Sequence, residues 1–134
     1  MQSLIIEGTA KTPFVKLDPQ NNEFVISGRS IPNDAEFFYQ PVLEWFDSYV
    51  SDPIEETVLR LDLDYFNISS SKRLLFILYK LNDLFETGNK VKLVWTYRDE
   101  DDDMLEVGQD YAFMVKVAFE FIPKSVNVPM AELV

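Results

Sequence analysis

The chain has 134 residues, and its 12 Lys and Arg against 23 Asp and Glu give a formal net charge of −11. It contains no cysteine and no histidine, which excludes disulfides, thiolate nucleophiles, cysteine-based zinc sites, Ser–His–Asp triads and imidazole bases. The length fits a single domain over residues 1–134, and the acidity argues against nucleic acid and anionic membranes as partners.

The N-terminal part of the chain predicts two short strands. One is expected at Phe24–Gly28, and an earlier one at either Leu4–Glu7 or Phe14–Leu17.

A helix is expected next, from Asp34 to Val50, with Asn33 or Asp34 as its N-cap. Pro41 lies inside this segment, so we expect a kink or a delayed start of the regular helix. The apolar residues at helical spacing are Phe38, Val42, Trp45, Phe46 and Tyr49.

Three later segments alternate between apolar and polar residues and predict strands at Thr57–Tyr65, Val91–Arg98 and Lys116–Phe121. Their apolar faces carry Leu59, Leu61, Leu63 and Tyr65, then Val91, Leu93, Trp95 and Tyr97, then Val117, Phe119 and Phe121. The opposite faces carry Arg60, Asp62, Asp64, Lys92, Val94, Thr96, Arg98, Lys116, Ala118 and Glu120.

Two helices separate these strands. The first is expected at Ser69–Thr87 and ends before Gly88, and the second at Met104–Met114. The apolar stripe of the first consists of Leu74, Leu78, Leu81 and Phe85, flanked by Ile77 and Leu84.

The alternation also predicts the architecture. A strand between two helix layers is apolar on both faces, whereas these strands are apolar on one face only. We therefore expect an α/β fold with two layers, in which the helices cover one face of a mixed sheet and the other face meets solvent.

The segment Tyr65–Arg73, with sequence YFNISSSKR, joins the central strand to the long helix. Asn67 or one of Ser69, Ser70 and Ser71 can cap the helix, and exposed N–H groups at such an end also favour a phosphate. Lys72 and Arg73 lie close enough in sequence to pair with that phosphate. Ser69, Ser70 and Ser71 are therefore the candidate phosphorylation sites, and plain capping and a phosphorylation switch are both consistent with the residues.

Two groups of acidic residues suggest other possible functions. The run Asp99–Asp103 lacks the glycine and closing glutamate of a calcium loop, so we expect a solvated loop that favours the start of the next helix, or a docking patch for a basic partner. Asp62 and Asp64 resemble a catalytic pair, but the neighbouring Arg60, Lys92 and Arg98 offer cross-strand charge partners. An alternative function, different from a phosphorylation switch, is a small enzyme that uses these carboxylates or a bound cation. We predict no metal site and no cofactor.

Several segments together resemble a known family. They are YFNISSSKRLLFIL at 65–78, GTAKTP at 8–13, FFYQPVLEWFDSYV at 37–50, VKLVWTYRDEDDDMLEVGQDY at 91–111 and a closing strand rich in Phe. On these segments the chain resembles the SiaC-type regulatory phosphoproteins, whose fold is similar to that of STAS domains, the anti-sigma-factor antagonists.

The resemblance implies a non-enzymatic switch in a bacterial partner-switching pathway. In such a pathway a cognate kinase phosphorylates a hydroxyl at the start of the helix after the central strand, and a PP2C-type phosphatase removes the phosphate. The unphosphorylated form binds and activates a diguanylate cyclase, so that the switch sets cyclic-di-GMP output and biofilm behaviour. An anti-sigma kinase as the partner is an alternative within the same fold.

The chain departs from the family motif at the acceptor position. Where the motif has Thr directly after the Asn, this chain has Ile68 after Asn67. The acceptor has either moved to Ser69 or Ser70, or this member is not switched by phosphate; we favour Ser69 as the nearest hydroxyl ahead of the helix body. The partner-binding loop implied by the resemblance comprises Tyr65, Asn67, Ile68, Lys72 and Arg73.

The protein is expected to be cytoplasmic and to be a monomer or a weak dimer. The tail 124–134 is expected either to be disordered or to dock on the domain.

Overall fold

A computed structural model describes residues 1–125, and in this part of the chain six strands form one sheet in chain order. The strands are β1 (Leu4–Ile6), β2 (Phe14–Asp18), β3 (Glu23–Ser30), β4 (Glu56–Phe66), β5 (Lys90–Arg98) and β6 (Ala118–Lys124). The helices are α1 (Ala35–Tyr49), α2 (Ile68–Glu86) and α3 (Asp102–Met114), and a 3₁₀ turn (Pro19–Asn21) joins β2 to β3. The prediction for the tail 124–134 concerns mainly residues 126–134, which lie outside the described residues.

The strand directions explain the layering. β1, β2 and β3 pair antiparallel, whereas β3, β4, β5 and β6 pair parallel, with one helix in each connection. Parallel crossovers are right-handed, so three crossovers that advance across the sheet in the same direction place their helices on the same face. The predicted two-layer α/β fold with a mixed sheet is confirmed. Both early segments form strands, where only one of the two had been expected.

The buried stripe of α1 differs in part from the prediction. Asp34 is its N-cap, and the Asp34 Oδ1 atom accepts a hydrogen bond from the Phe37 N–H at 3.0 Å. Phe38 and Trp45 are only half-buried, and the fully buried positions are Ala35, Tyr39, Val42, Phe46 and Tyr49.

Pro41 does not delay the start of α1, which begins six residues earlier at Ala35. A proline in a helix leaves the carbonyl four residues before it without its usual donor. Here that carbonyl belongs to Phe37, and Phe37 and Pro41 are both exposed, so that water can satisfy it. The expectation of a delayed start is wrong for this reason.

A bulge near the end of β4 exchanges the faces of the sheet to which its last two residues point. The pairing with β3 runs from Gly28 opposite Leu63 to Arg29 opposite Tyr65, which leaves Asp64 as the extra residue. Tyr65 was predicted on the apolar face, but it is 52% exposed and lies on the open face with the Arg29 guanidinium 5.9 Å from its ring centroid. The bulge turns Phe66 towards the helices instead, where its ring contacts Trp95.

Three smaller corrections concern the other elements. Phe85 of α2 is 37% exposed, outside the buried stripe of Leu74, Ile77, Leu78, Leu81 and Leu84. β6 begins at Ala118 and not at Lys116, whose N–H donates to the Asn82 side chain of α2 at 2.7 Å instead of pairing with β5. Val94, predicted on the polar face, is 2% exposed there, in register with Arg60 of β4 and Glu120 of β6. Gly88 has a positive φ of 97° directly after α2, as the predicted helix end requires.

Among residues 1–125, none of the helices is long and apolar enough to cross a membrane.

Candidate functional site

The site lies where two parallel strands end side by side. Ser30, the last residue of β3, is in register with Phe66, the last residue of β4. The next residue, Asn67, donates its backbone N–H to the Ser30 carbonyl at 3.0 Å. α2 therefore starts directly from the carboxyl edge of the sheet, with no loop between strand and helix.

Asn67 is the N-cap of α2. Its side-chain Oδ1 accepts from the Ser70 N–H at 2.9 Å, and its carbonyl accepts from the Ser71 N–H at 3.0 Å. Capping side chains satisfy N–H groups that have no partner within the helix. Of the four residues that the sequence offered as caps, Asn67 takes this position.

The three consecutive serines have different surroundings. Ser69 is exposed, and within the described part of the chain its hydroxyl makes no hydrogen bond. Ser70 is fully buried. Ser71 is half-buried, and its hydroxyl donates to the Ile68 carbonyl at 2.7 Å. Only Ser69 presents an unengaged hydroxyl at the surface of this turn.

Ser70 belongs to a buried chain of hydroxyl groups. Its Oγ donates to the Ser30 carbonyl at 3.1 Å and accepts from the Ser30 Oγ at 2.8 Å. The Ser30 Oγ in turn lies 2.6 Å from the Tyr39 hydroxyl. Since the Ser30 proton points to Ser70, Tyr39 is the donor to Ser30. Burial raises the pKa of Tyr39 to about 12, which keeps this donor protonated.

Tyr111 fastens the same turn from the other side. Its hydroxyl donates to the Ser71 carbonyl at 2.8 Å, and its ring stacks on Phe66 at 6.5 Å. Burial raises the pKa of Tyr111 above its ordinary value. The first turn of α2 is thus linked to α1 through Ser70 and Ser30, and to α3 through Ser71.

Lys72 and Arg73 lie one turn into α2, next to Ser69 in space. Both cations lie over the Phe76 ring, at 5.8 Å for the Lys72 Nζ and 5.3 Å for the Arg73 Cζ. Arg73 also approaches the Glu36 carboxylate at 3.7 Å. These residues border a cavity of about 270 Å³ between the first turns of α1 and α2, lined by Asn33, Asp34, Ala35, Glu36, Ser69, Lys72 and Arg73.

Ile68 is 89% exposed, next to a groove of about 350 Å³ between α2 and α3. The groove is mostly apolar and is lined by Phe66, Asn67, Ile68, Ser71, Val107, Asp110, Tyr111 and Met114. Tyr65 does not join this group, because the bulge turns it to the opposite face of the sheet.

The acidic features form ion pairs and a helix cap. Asp62 pairs with Lys124, and Asp64 pairs with Arg98 at 3.5 Å. Of the predicted partners only Arg98 is therefore correct, since Lys92 pairs with Glu120. In the acidic run, Asp101 caps α3 by accepting from the Met104 N–H at 3.0 Å, with Asp102 and Asp103 in the first turn. This confirms the prediction that the run favours the start of the following helix.

One carboxyl group in the run Asp99–Asp103 has a pKa that differs from its ordinary value. A hydrogen bond with the Asp99 side chain raises the pKa of the Glu100 carboxyl. Across residues 1–125, no group of three or more Asp or Glu side chains is placed to hold a metal ion.

Comparison with known proteins places the chain in a family. A family model described as SiaC family regulatory phosphoprotein matches residues 6–124. The chain belongs to the SiaC family of regulatory phosphoproteins.

Relatives from Pseudomonas aeruginosa agree with this assignment. An uncharacterized protein of strain UCBPP-PA14 is 29% identical over 111 residues, which cover 83% of this chain and 88% of that protein. The crystal structure of apo-SiaC aligns with a TM-score of 0.84 at 27% identity, covering 91% of this chain and 99% of that one. A third match, with a TM-score of 0.85 at 26% identity and coverage of 90% and 99%, comes from the crystal structure of the diguanylate cyclase SiaD in complex with its activator SiaC.

Sequence reasoning missed Ser30, Tyr39 and Tyr111, which hold the first turn of α2 in place, and it missed the buried role of Ser70. Ser30 and Ser70 are 40 residues apart in the chain, and no local pattern pairs them. Tyr39 could have been found, because it continues the buried spacing of Val42, Phe46 and Tyr49 one turn earlier.

Proposed function

We propose that this chain is a non-enzymatic switch that binds and activates a diguanylate cyclase, and that phosphorylation of Ser69 blocks the binding. The observation that carries the proposal is the exposed, unbonded Ser69 hydroxyl in the first turn of α2, close to Lys72 and Arg73. The relative SiaC is described as the activator of the diguanylate cyclase SiaD and is seen in complex with it. A cognate kinase and a PP2C-type phosphatase would set the phosphorylation state.

Ser69 is the acceptor in this proposal because its neighbours are engaged. A kinase acting on Ser70 would have to break a buried hydrogen-bond chain before the hydroxyl became accessible. Ser71 is half-buried, and its hydroxyl already donates to the Ile68 carbonyl. Ile68 occupies the position of the family's Thr and has no hydroxyl.

The effect of the phosphate is local. It adds about −1.5 to −2 charge units at neutral pH, a small change on a chain of net charge −11. At Ser69 the dianion would attract Lys72 and Arg73, and would repel the Glu36 carboxylate that now approaches Arg73. In an interface the phosphate would also lose water and would face the partner, and a partner surface that offers it no cation would oppose docking.

Ile68 gives the unphosphorylated surface its apolar contact. A side chain 89% exposed beside an apolar groove loses most of its water contact when a partner covers it. The partner-binding surface then comprises Ile68 with Asn67 and the exposed side of Lys72 and Arg73, directly beside the proposed phosphate.

Intact-mass spectrometry with the cognate kinase tests the acceptor. We expect one added phosphate on the wild type and on Ser71→Ala, and none on Ser69→Ala. The variant Ile68→Thr restores a hydroxyl at the family position, and we expect it to accept a second phosphate. An unmodified wild-type chain, or a phosphate retained by Ser69→Ala, would contradict the assignment.

Cyclase activity measured with purified chain tests the output. Unmodified protein should raise the rate of cyclic-di-GMP formation by its cognate cyclase, and the phosphorylated protein should not. A cyclase whose rate is the same with and without the unmodified chain would overturn the proposed function.

A further inference from the structure

The buried hydroxyl chain of Tyr39, Ser30 and Ser70 connects three elements at one point. Tyr39 belongs to α1, Ser30 ends β3, and Ser70 lies in the first turn of α2. All three residues have an exposed fraction of 0%. Since buried polar groups without partners are costly, each hydroxyl depends on the next for its hydrogen bond.

The direction of the chain makes it a connection rather than three separate contacts. Tyr39 donates to the Ser30 Oγ, Ser30 donates to the Ser70 Oγ, and Ser70 donates to the Ser30 carbonyl. That same carbonyl also accepts the N–H of the cap residue Asn67. Loss of the Tyr39 hydroxyl leaves the Ser30 Oγ without its donor, and this weakens the hydrogen bonding that holds Ser70.

The residues exposed by this turn are those that the proposed function uses. Ser69 directly precedes Ser70, and Ile68 lies one residue further back, so the position of Ser70 fixes the orientation of both. Across the cavity, the first turn of α1 carries Glu36, three residues before Tyr39 and paired with Arg73. Movement between α1 and α2 would alter this pair and the direction of Ser69 together.

We propose that Tyr39 is a positioning residue that acts through Ser30 and Ser70 to hold the first turn of α2 in the geometry that binds the partner. The part of this inference that concerns affinity rests on the proposed function, whereas the structural connection does not. Tyr39 itself is fully buried, so it would act on a partner only through the residues that it positions.

The chain offers a matched control. Tyr49 is the other fully buried tyrosine of α1, and its hydroxyl lies 2.7 Å from the buried Thr57 Oγ at the opposite end of the helix. Tyr39→Phe and Tyr49→Phe each remove one buried hydroxyl from the same helix. Only the first belongs to the chain that ends at Ser70.

Hydrogen exchange of the backbone amides tests the connection without any partner. We expect Tyr39→Phe to speed exchange at the Ser70 and Ser71 amides by about tenfold relative to core amides of β4, in line with the loss of one buried hydrogen bond. Tyr49→Phe should leave that ratio at its wild-type value, even if it lowers global stability as much. Equal ratios in the two variants would overturn the inference.

A double-mutant comparison identifies the route. Ser30→Ala removes the link between Tyr39 and Ser70, so adding Tyr39→Phe to it should change the exchange ratio less than twofold. Independent effects of the two substitutions would show that Tyr39 acts by another route and would contradict the inference.

Affinity for the cyclase gives the functional readout. Tyr39→Phe should weaken binding by about fivefold to tenfold, whereas Tyr49→Phe should retain wild-type affinity. If the wild type itself does not bind a cyclase, the proposed function fails while the exchange result stands. If the wild type binds and Tyr39→Phe binds equally well, the positioning role fails while the proposed function stands.

Discussion

Ser69 and Ser70 are adjacent in the chain, yet the first turn of α2 exposes one to solvent and buries the other. The Ser69 hydroxyl points to solvent, whereas the Ser70 hydroxyl is fully buried and bonded to Ser30. The three serines thus include Ser69, whose hydroxyl is accessible, and Ser70, whose buried hydroxyl bonds the turn to β3.

The two serines should respond differently to removal of the hydroxyl. Ser70→Ala leaves the buried Ser30 Oγ–H without its acceptor, and we expect the free energy of unfolding to fall by about 1–3 kcal/mol. Ser69→Ala removes an unbonded surface hydroxyl and should stay within about 0.5 kcal/mol of the wild type. Urea unfolding of both variants measures the difference, and equal stabilities would contradict the buried hydroxyl chain.

A charge at Ser69 should oppose partner binding. We expect Ser69→Asp to weaken the affinity for the cyclase by about tenfold or more, because the carboxylate must lose water within the interface. Ser3→Asp adds the same charge at an exposed serine beside the edge strand β1 and should bind as the wild type does. Isothermal titration calorimetry compares the variants, and equal affinities for the two would refute a local effect.

The contact between Gly108 and Trp95 should tolerate no side chain. A Cβ at Gly108 would lie 2.6 Å from the Nε1 of the buried Trp95 indole. We expect Gly108→Ala to lower stability, since overpacking costs about 1–3 kcal/mol and the gain in helix propensity is about 1 kcal/mol. The neighbouring exposed Gln109→Ala should be nearly neutral. A Gly108→Ala chain with wild-type urea midpoint would show that α3 can shift away from Trp95.

Stability should decrease in alkaline solution. Burial raises the pKa of Tyr39 to about 12 from an ordinary value of 10.0. Below pH 10 both states keep the proton; between pH 10 and 12 the unfolded state releases it while the folded state retains it. The free energy of unfolding should therefore fall over this window, with Tyr39 contributing on the order of 2–3 kcal/mol. Urea titrations from pH 8 to 11.5 measure the slope, which Tyr39→Phe should reduce; an unchanged slope would contradict the assignment to Tyr39.

The architecture could be predicted from the sequence because alternation in β4 and β5 shows which face is buried. Tyr65 marks the limit of that reasoning: alternation holds only while the pairing is regular, and one extra residue at Asp64 exchanges the two faces beyond it. The helix start after β4 could also be predicted, since Asn67 and three serines follow a strand and Asn67 caps α2; that this turn is the functional site stays a prediction. The different surroundings of the serines could not be predicted, because Ser70 is hydrogen-bonded to Ser30 of β3, which is in turn hydrogen-bonded to Tyr39 of α1.

The order of the sheet has a consequence for how the chain is made. Among the described residues, each strand after β1 pairs with the strand that precedes it in the chain. Synthesis proceeds from the N-terminus, so each new strand–helix unit can add to an edge that already exists, without displacing a strand or threading between two. The ribosome would thus release β3, α1 and β4 before α2 emerges, so Ser30 and Tyr39 would already be present when the first turn of α2 forms, and Tyr111 of α3 would bind that turn later.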